Sequence, residues 1–249
     1  MRKVLNVILV ALMLLFLGLG FREVFMFSDV EEDKNTLIEK VVKVPKDSVG
    51  VSVSENPFER YIDFETLWGI NQDIVGWIYI PDTQVDYPIL VGDTDEEYLN
   101  KNYKGISSKI GSIFAFAGVD LTNDRHICLF GHNMISGQMF GELDNYKDAE
   151  FANSHMKMYI YTPDRTKECT LISAFGCDKY DSVFELDNTG KDVDTEKLQD
   201  SLSKRSILEL GIPDSTGQVF TLGTCNGTRG SSKRFTVNFI VTQEKYVLE

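Results

Sequence analysis

The chain has 249 residues and a formal net charge of −13, with 43% hydrophobic residues. Nucleic-acid binding depends on Lys and Arg that neutralise phosphates, so an acidic chain of this kind argues against a nucleic-acid partner. The negative charge instead favours solubility.

The N-terminus predicts a membrane segment. Residues 1–3 carry positive charge, and Val4–Phe21 is uncharged and almost wholly apolar. A helix of this length spans about 27 Å, close to the roughly 30 Å hydrocarbon core of a bilayer. Because acidic residues follow, we expect residues 1–21 to be an uncleaved signal-anchor, with the rest of the chain outside the cell. The alternative is a cleaved signal peptide, since Gly18–Gly20 offers a small-x-small site.

Two further regions follow the apolar segment. Residues 22–57 show no long apolar period and carry alternating charges, which indicates an extracellular stalk or linker with a helical piece at Asn35–Val42. Residues 58–249 are long enough for one folded domain. We therefore expect a single-pass protein of the cell membrane whose folded domain is extracellular.

The folded domain is predicted to be mainly β. Short apolar runs alternate with polar turns, which indicates an antiparallel barrel or a sandwich. Helices are expected within Phe58–Trp68 and at Met139–Tyr146 and Thr195–Ser206. The eight strand-like runs are Gly76–Ile80, Tyr87–Val91, Ser112–Phe116, Ile127–Phe130, Met156–Tyr161, Cys169–Phe175, Val219–Leu222 and Phe235–Tyr246.

Two of these runs carry a candidate nucleophile and a candidate cation. Cys225 stands just past the run Val219–Leu222, and Arg234 stands where the next run begins. If the two runs pair, the thiol and the guanidinium lie at the same end of a sheet. A nucleophile beside a cation that stabilises charge on a substrate oxygen is the arrangement used for covalent acyl transfer. Arg229, in the polar loop between the runs, is the alternative cation, although a side chain there is mostly solvated.

The general base must come from one of three histidines. His132 directly follows the strand-like run Ile127–Phe130 and Gly131, a setting that mirrors that of Cys225. His126 precedes the same run, and His155 lies in a polar stretch. His132 is therefore the preferred base, and no acidic residue is uniquely placed to orient it.

The cysteines predict no metal site and no cofactor. Cys128, Cys169, Cys177 and Cys225 show no CxxC spacing, and no cluster of Cys and His accompanies them. Cys128 and Cys169 lie in apolar runs, where a cysteine is most simply a small core residue. A disulfide, for example Cys169–Cys177, is left open.

Several motifs together resemble those of a known family. The segment TLGTC (Thr221–Cys225), followed by KRFTV (Lys233–Val237), resembles the TLxTC…R signature of sortases, the cysteine transpeptidases of Gram-positive cell surfaces. GHNM (Gly131–Met134) resembles the histidine motif in its class B form. The similarity runs from about Phe58 to Thr242 and includes NQDIVGWI (Asn71–Ile78), VDYPI (Val85–Ile89), EYL (Glu97–Leu99) and GSIF (Gly111–Phe114).

The resemblance implies a fold, an activity and partners. The fold would be a closed eight-stranded β-barrel with peripheral helices, Thr195–Ser206 being the helix between strands six and seven. The activity would be cleavage of an LPxTG- or NPxTN-like sorting signal of secreted proteins through a thioester on Cys225. The acyl group would pass to an amine of the peptidoglycan cross-bridge or of its lipid-linked precursor. His132 and Arg234 would complete the catalytic set.

The resemblance also implies substrate-binding residues. Leu99 would form an apolar wall of the groove, and Gly223 and Thr224 flank the nucleophile. The segment Cys177–Phe184, with Val183 and Phe184 at its end, would lie in the loop that covers the sorting signal. The chain departs from the class B pattern at three places: Asp95 in place of Asn, Gly223 in place of Ser, and Ala115-Phe116 in place of Met-Asp. The first two lie at the presumed substrate groove and put the recognised motif in doubt, but not the reaction.

Three other functions remain open on the sequence alone. Within the family, the alternative is a sortase that polymerises pilins. A secreted cysteine peptidase of cell-wall peptides would use the same Cys–His pair. A surface-exposed domain that only binds proteins would carry Cys225 as a buried strand residue.

Overall fold

The computed structural model of the chain describes residue 13 and residues 29–43, 56–185, 193–225 and 232–247. The chain divides into two units between Val42 and Lys43, and each unit is described by itself. The first contains helix α1 over residues 29–41, so the helix predicted at Asn35–Val42 exists but begins earlier. None of the helices in the described ranges is long and apolar enough to cross a bilayer. The predicted membrane segment Val4–Phe21 lies outside those ranges except for Met13, and it stays a prediction.

The second unit is built around a closed barrel of eight strands. Two short strands come first in the chain, β1 (Val42–Lys43) and β2 (Tyr61–Ile62). The order of the barrel strands is β10-β8-β7-β3-β4-β5-β6-β9. Their bounds are β3 (Ile74–Tyr79), β4 (Asp86–Val91), β5 (Ile113–Ala115), β6 (His126–Gly131), β7 (Lys157–Tyr161), β8 (Arg165–Asp178), β9 (Val219–Cys225) and β10 (Lys233–Tyr246).

The eight predicted runs correspond to the eight barrel strands, so the mainly-β barrel is confirmed. The expectation of an antiparallel barrel is wrong in part, because β4 pairs with β5 and β6 pairs with β9 in parallel. Alternation along the strands fills the interior of the barrel. On β10, for example, Phe235, Val237 and Phe239 are at most 1% exposed.

The helices are short and lie between the strands. Helix α5 (Thr195–Lys204) starts at Thr195 as predicted and ends two residues before the predicted Ser206. It lies between β8 and β9, the sixth and seventh barrel strands, as the resemblance implied. The Asp194 side chain caps it by accepting a hydrogen bond from the backbone N–H of Lys197. The helix predicted at Met139–Tyr146 is a 3-10 helix at Gly141–Lys147. The other short helices are the 3-10 helices Pro57–Glu59 and Glu97–Leu99 and the α-helices α2 (Phe64–Trp68), α3 (Ala149–Ser154) and α4 (Ser182–Glu185).

Helices α4 and α5 cover part of the outer face of the barrel. Val183 of α4 and Leu202 of α5 pack in one apolar cluster with residues from three adjacent strands. The strand residues of this cluster are Ile172, Phe175, Val219 and Ile240. Burial of this outer face stabilises the two helices against β8, β9 and β10.

Candidate active site

Three strand ends bring the predicted catalytic residues together. Arg234 on β10 is the direct register partner of Cys225 on β9. In the parallel ladder between β6 and β9, Gly131 lies opposite Thr224. His132 and Cys225 are the next residues on these two strands, so they leave the ladder at the same edge. The barrel therefore places all three predicted residues at one end of three adjacent strands.

His132 is half-buried and held by a backbone carbonyl. Its Nε2 lies 2.8 Å from the carbonyl oxygen of Leu99, at the end of the 3-10 helix Glu97–Leu99. Gly111 lies against this contact with φ +66°, and a Cβ there would lie 2.5 Å from the Leu99 oxygen. The group that orients the histidine is therefore a main-chain oxygen rather than a carboxylate.

The loop after His132 is fixed at several points. The backbone N–H of Phe140 donates to the His132 carbonyl at 3.0 Å. The Asn133 side-chain amide donates to Asp144 Oδ2 at 2.9 Å, and the backbone N–H of Met139 donates to the Tyr87 hydroxyl at 3.1 Å. These contacts keep His132 at the barrel edge, and the sequence reasoning did not identify them.

Arg234 lies between two cysteine positions. Cys225 is its partner on β9, and Cys177 is its partner on β8. The guanidinium Nη1 donates to the Lys233 carbonyl at 3.0 Å. Burial raises the pKa of the Cys177 thiol to about 11, although Arg234 and Arg205 act to lower it. Cys177 is therefore protonated at neutral pH, which makes it a poor nucleophile.

Three phenylalanines form an aromatic strip next to the site. The rings of Phe116 and Phe130 stack with centroids 4.7 Å apart, and the Phe184 ring lies 5.6 Å from that of Phe130. All three side chains are half-buried. Gly223, two residues before Cys225, lies beneath the strip, and a Cβ there would be 3.0 Å from Phe184 Cε1. The aromatic strip therefore occupies space that a larger residue at position 223 would need.

The chain is similar to known proteins. No family model matches the chain. Sortase B of Listeria monocytogenes is 28% identical over 223 residues, covering 84% of this chain and 88% of that protein. Sortase B of Staphylococcus aureus is 29% identical over 164 residues, covering 65% of this chain and 67% of that protein.

Solved structures agree with these relatives. A crystal structure of sortase B from B. anthracis in complex with AAEK1 matches with a TM-score of 0.70 and 29% identity, covering 89% of this chain and 98% of that one. The chain is similar to class B sortases in both sequence and fold. A Staphylococcus aureus sortase B–substrate complex shares the fold, with a TM-score of 0.66 and 24% identity. The match covers 87% of this chain and 95% of that one.

The predicted substrate-binding residues have different environments. Leu99 is half-buried and contacts His132 through its carbonyl. Phe184 lies over Gly223 in the aromatic strip. Val183 is only 3% exposed, and Thr224 is 1% exposed, with its Oγ1 lacking a hydrogen-bond partner among the described residues. Burial of these two side chains leaves mainly their backbones available to a ligand.

Asp95 lies on the loop that precedes the 3-10 helix of Leu99. It is exposed, and its Oδ1 accepts a hydrogen bond from the backbone N–H of Ala117 at 3.0 Å. This contact joins its loop to the segment after Phe116. The alternative cation Arg229 lies outside the described residues, so its comparison with Arg234 stays open.

The other three cysteines are free thiols. Cys128, Cys169 and Cys177 form no disulfide in the structure, so the Cys169–Cys177 bridge considered above is not present. Burial raises the pKa of Cys128 to about 12 and also raises that of Cys169. Within the described part of the chain, no group of three or more metal-ligating side chains is found.

His126, the alternative base, belongs to a buried polar ladder that sequence reasoning missed. Its Nε2 lies 2.8 Å from Thr221 Oγ1, which donates to Asn238 Oδ1, and Asn238 Nδ2 donates to Ser173 Oγ. These four side chains come from β6, β9, β10 and β8, and each is at most 5% exposed. Burial lowers the pKa of His126 to about 4. Period-two alternation along β6 puts His126 and Cys128 on the same face of the strand. This pattern could have indicated from the sequence that His126 is buried.

Proposed function

We propose that the chain is a membrane-anchored cysteine transpeptidase that cleaves a C-terminal sorting signal and transfers the resulting acyl group to a cell-wall amine. The observation that carries this proposal is the convergence of Cys225, His132 and Arg234 at one barrel edge. Similarity to sortase B proteins from two species supports the same reaction. In enzyme classification it would be a cysteine peptidase of the EC 3.4.22 class.

Each residue has one chemical role in the proposed reaction. The Cys225 thiolate attacks a backbone carbonyl of the sorting signal, and the carbonyl π electrons move onto oxygen. Arg234 stabilises that oxyanion, since its charge is permanent and its role is electrostatic. His132, as imidazolium, protonates the leaving amine when the tetrahedral intermediate collapses to a thioester. Neutral His132 then takes a proton from the incoming amine, which attacks the thioester and releases Cys225.

The substrate would be a peptide segment of another secreted protein. The Staphylococcus aureus relative with a known substrate complex shares this fold, which supports a peptide ligand in the corresponding region. The half-buried aromatic strip offers an apolar surface beside Cys225, as expected for a site that binds a peptide side chain. We propose LPxTG- or NPxTN-like signals, with Leu99, Asp95, Gly223, Thr224, Val183 and Phe184 near the bound peptide.

The acceptor and the location follow from the same proposal. The acceptor amine would belong to the peptidoglycan cross-bridge or to its lipid-linked precursor. Residues 1–21 would anchor the chain in the cell membrane and residues 22–57 would act as the stalk, with the catalytic domain from residue 58 outside the cell. No cofactor or metal is needed for this chemistry.

The test uses the full-length protein in mild detergent, incubated with LPxTG-like and NPxTN-like peptides. Intact-mass spectrometry should show a gain equal to the N-terminal peptide fragment. The Cys225→Ala variant should show no gain. The matched control is Cys177→Ala, the cysteine on the other side of Arg234, which should form the adduct normally.

The other candidate functions are outcomes of the same experiment. Release of the fragment by water, with no transfer to added amines, would identify a peptidase. Transfer to a pilin lysine but not to cross-bridge amines would identify a pilus polymerase. No adduct, together with no reaction of Cys225 with a small thiosulfonate, would reject an enzymatic role and leave a binding domain.

A further inference from the structure

His132 makes one contact that decides which of its nitrogens exchanges protons. Its Nε2 lies 2.8 Å from the Leu99 carbonyl oxygen. A carbonyl oxygen only accepts hydrogen bonds, so Nε2 must carry the hydrogen. A neutral imidazole has a single N–H, and its lone pair is therefore on Nδ1.

The residue before Leu99 is a buried tyrosine that is held at both ends. Tyr98 is 2% exposed, and its hydroxyl donates to Asp73 Oδ2 at 2.6 Å while accepting from Asn71 Nδ2 at 2.7 Å. The Tyr98 carbonyl accepts from the backbone N–H of Ser112 at 3.1 Å. Both ends of Tyr98 are thus fixed, which restricts the peptide group that follows it.

Gly111 provides the space for this contact. Its φ of +66° is unfavourable for residues with a side chain. A Cβ at this position would lie 2.5 Å from the Leu99 oxygen and 3.1 Å from His132 Cδ2. A substitution at Gly111 would therefore push apart the two groups that form the hydrogen bond.

We propose that Tyr98, the Leu99 carbonyl and Gly111 form a positioning unit that holds His132 in the Nε2–H tautomer and makes Nδ1 the nitrogen that transfers protons. The proposal rests on the proposed transpeptidase function and deepens it. Tyr98 and Gly111 are positioning residues, because they act on the reaction only through His132. A tightly oriented histidine keeps the reacting atoms aligned, and misplacement by about 1 Å can cost about 10²-fold in rate.

The first measurement is the tautomer, which does not depend on catalysis. Long-range ¹H–¹⁵N spectra of full-length protein labelled at histidine nitrogens, recorded at about pH 8.5 where ordinary imidazoles are neutral, report which nitrogen is protonated. His155 is an internal reference for the opposite tautomer, because its Nδ1 lies 2.8 Å from the Phe151 carbonyl oxygen. The variants His126→Gln and His155→Gln each lose the signals of the replaced histidine. The signals that remain in both variants belong to His132. His132 should show protonated Nε2, and protonated Nδ1 would overturn the proposal.

The second measurement compares two glycine variants. Gly118 also has positive φ, at +79°, but a Cβ there meets no atom within 4 Å. Gly118→Ala therefore reproduces the backbone strain without the clash. Gly111→Ala should mix the His132 tautomers and lower kcat by about 10²-fold with KM nearly unchanged, whereas Gly118→Ala should leave both properties as in the wild type.

A third variant covers the case in which Gly111→Ala does not fold. Tyr98→Phe keeps the ring and removes only the hydroxyl that joins Asn71 to Asp73. It should lower kcat by a smaller factor and broaden the His132 signals. Wild-type tautomer and kcat in Tyr98→Phe, or identical behaviour of the Gly111 and Gly118 variants, would overturn the positioning role. Absence of acyl transfer in the wild type with the expected tautomer would instead reject the proposed function.

Discussion

Arg234 and Cys225 face each other across the ladder between β9 and β10, as direct register partners. Direct pairing in an antiparallel ladder sets the backbone positions of the two residues opposite each other, so the register alone brings the arginine position to that of the proposed nucleophile. This pairing follows from the register of two strands that are consecutive in the chain.

The role of Arg234 can be separated from that of a simple positive charge. Arg234→Lys keeps the charge but removes the planar fork of donors, so kcat for acylation should fall by about 10²-fold or more. Arg229→Ala is the comparison, and it should retain most of the activity. Single-turnover thioester formation measures both variants. If Arg229→Ala shows the larger loss, the cation of the site has been assigned to the wrong arginine.

Thiol labelling should distinguish Cys225 from the other three cysteines. Burial raises the pKa of Cys128 to about 12 and that of Cys177 to about 11, and the pKa of Cys169 is also raised. At neutral pH the native protein should therefore take up one small thiosulfonate, and Cys225→Ala should take up none. Mass spectrometry counts the labels, with denatured protein accepting four as the reference. A label that persists in Cys225→Ala would contradict this assignment.

The aromatic strip predicts an effect of Gly223 on peptide binding. A side chain at position 223 would displace the Phe184 ring, since the Cβ would lie 3.0 Å from Cε1. Gly223→Ser should raise KM for the peptide about tenfold, equivalent to about 1.4 kcal/mol, and leave kcat nearly unchanged. In Phe184→Ala the closest contact is absent and only those with the Phe130 ring, at 3.3 Å, remain, so the serine should then have a smaller additional effect. Additive changes in the double variant would show that the two positions do not interact.

A buried lysine at the opposite end of the barrel should matter for stability alone. Lys167 is fully buried, and its Nζ donates to the carbonyls of Leu121 and Thr122 and to Gln218 Oε1. Lys167→Met removes the donor from three acceptors and should lower the free energy of unfolding by about 3 kcal/mol. Urea denaturation measures the loss, and acyl transfer by the folded fraction should be unchanged.

Lys157 is the matched control for Lys167. It lies on β7, its side chain is 44% exposed, and it pairs with Glu168 at 2.6 Å. An exposed ion pair contributes little, so Lys157→Met should cost less than about 1 kcal/mol. Equal losses for the two methionine variants would mean that the buried contacts of Lys167 add nothing.

His126 should make stability depend on pH. Burial lowers its pKa from 6.5 to about 4, so between these values the unfolded chain binds a proton that the folded protein does not. The free energy of unfolding should therefore be highest above pH 6.5 and should fall as the pH decreases towards 4. His126 alone accounts for about 2 kcal/mol of this loss between pH 8 and pH 5.

The His126 contribution is isolated by comparing pH profiles of unfolding. In His126→Gln the carboxylates still titrate, but this imidazole does not, so the loss of stability between pH 8 and pH 5 should be smaller than in the wild type. His155→Gln, a change at the end of α3, is the control and should follow the wild-type profile. Parallel profiles for wild type and His126→Gln would refute the prediction.

Local patterns in the sequence were sufficient for the strands and for part of the site. Short apolar runs bounded by polar turns identified all eight barrel strands, because a strand that is buried on both faces is a nearly continuous apolar segment. Cys225 and Arg234 lie on consecutive strands, so their convergence follows from a simple hairpin. The motif around His132 could be recognised because its residues are contiguous.

Contacts between distant segments were decided only by the tertiary structure. The parallel pairing of β6 with β9 depends on how the barrel closes, which no local pattern encodes. The partner of His132 is a main-chain oxygen, and since every residue has one, no side-chain motif could point to Leu99. The burial of Val183 and Thr224, the ladder around His126 and the match of Gly223 to Phe184 likewise arise from packing between segments far apart in the chain.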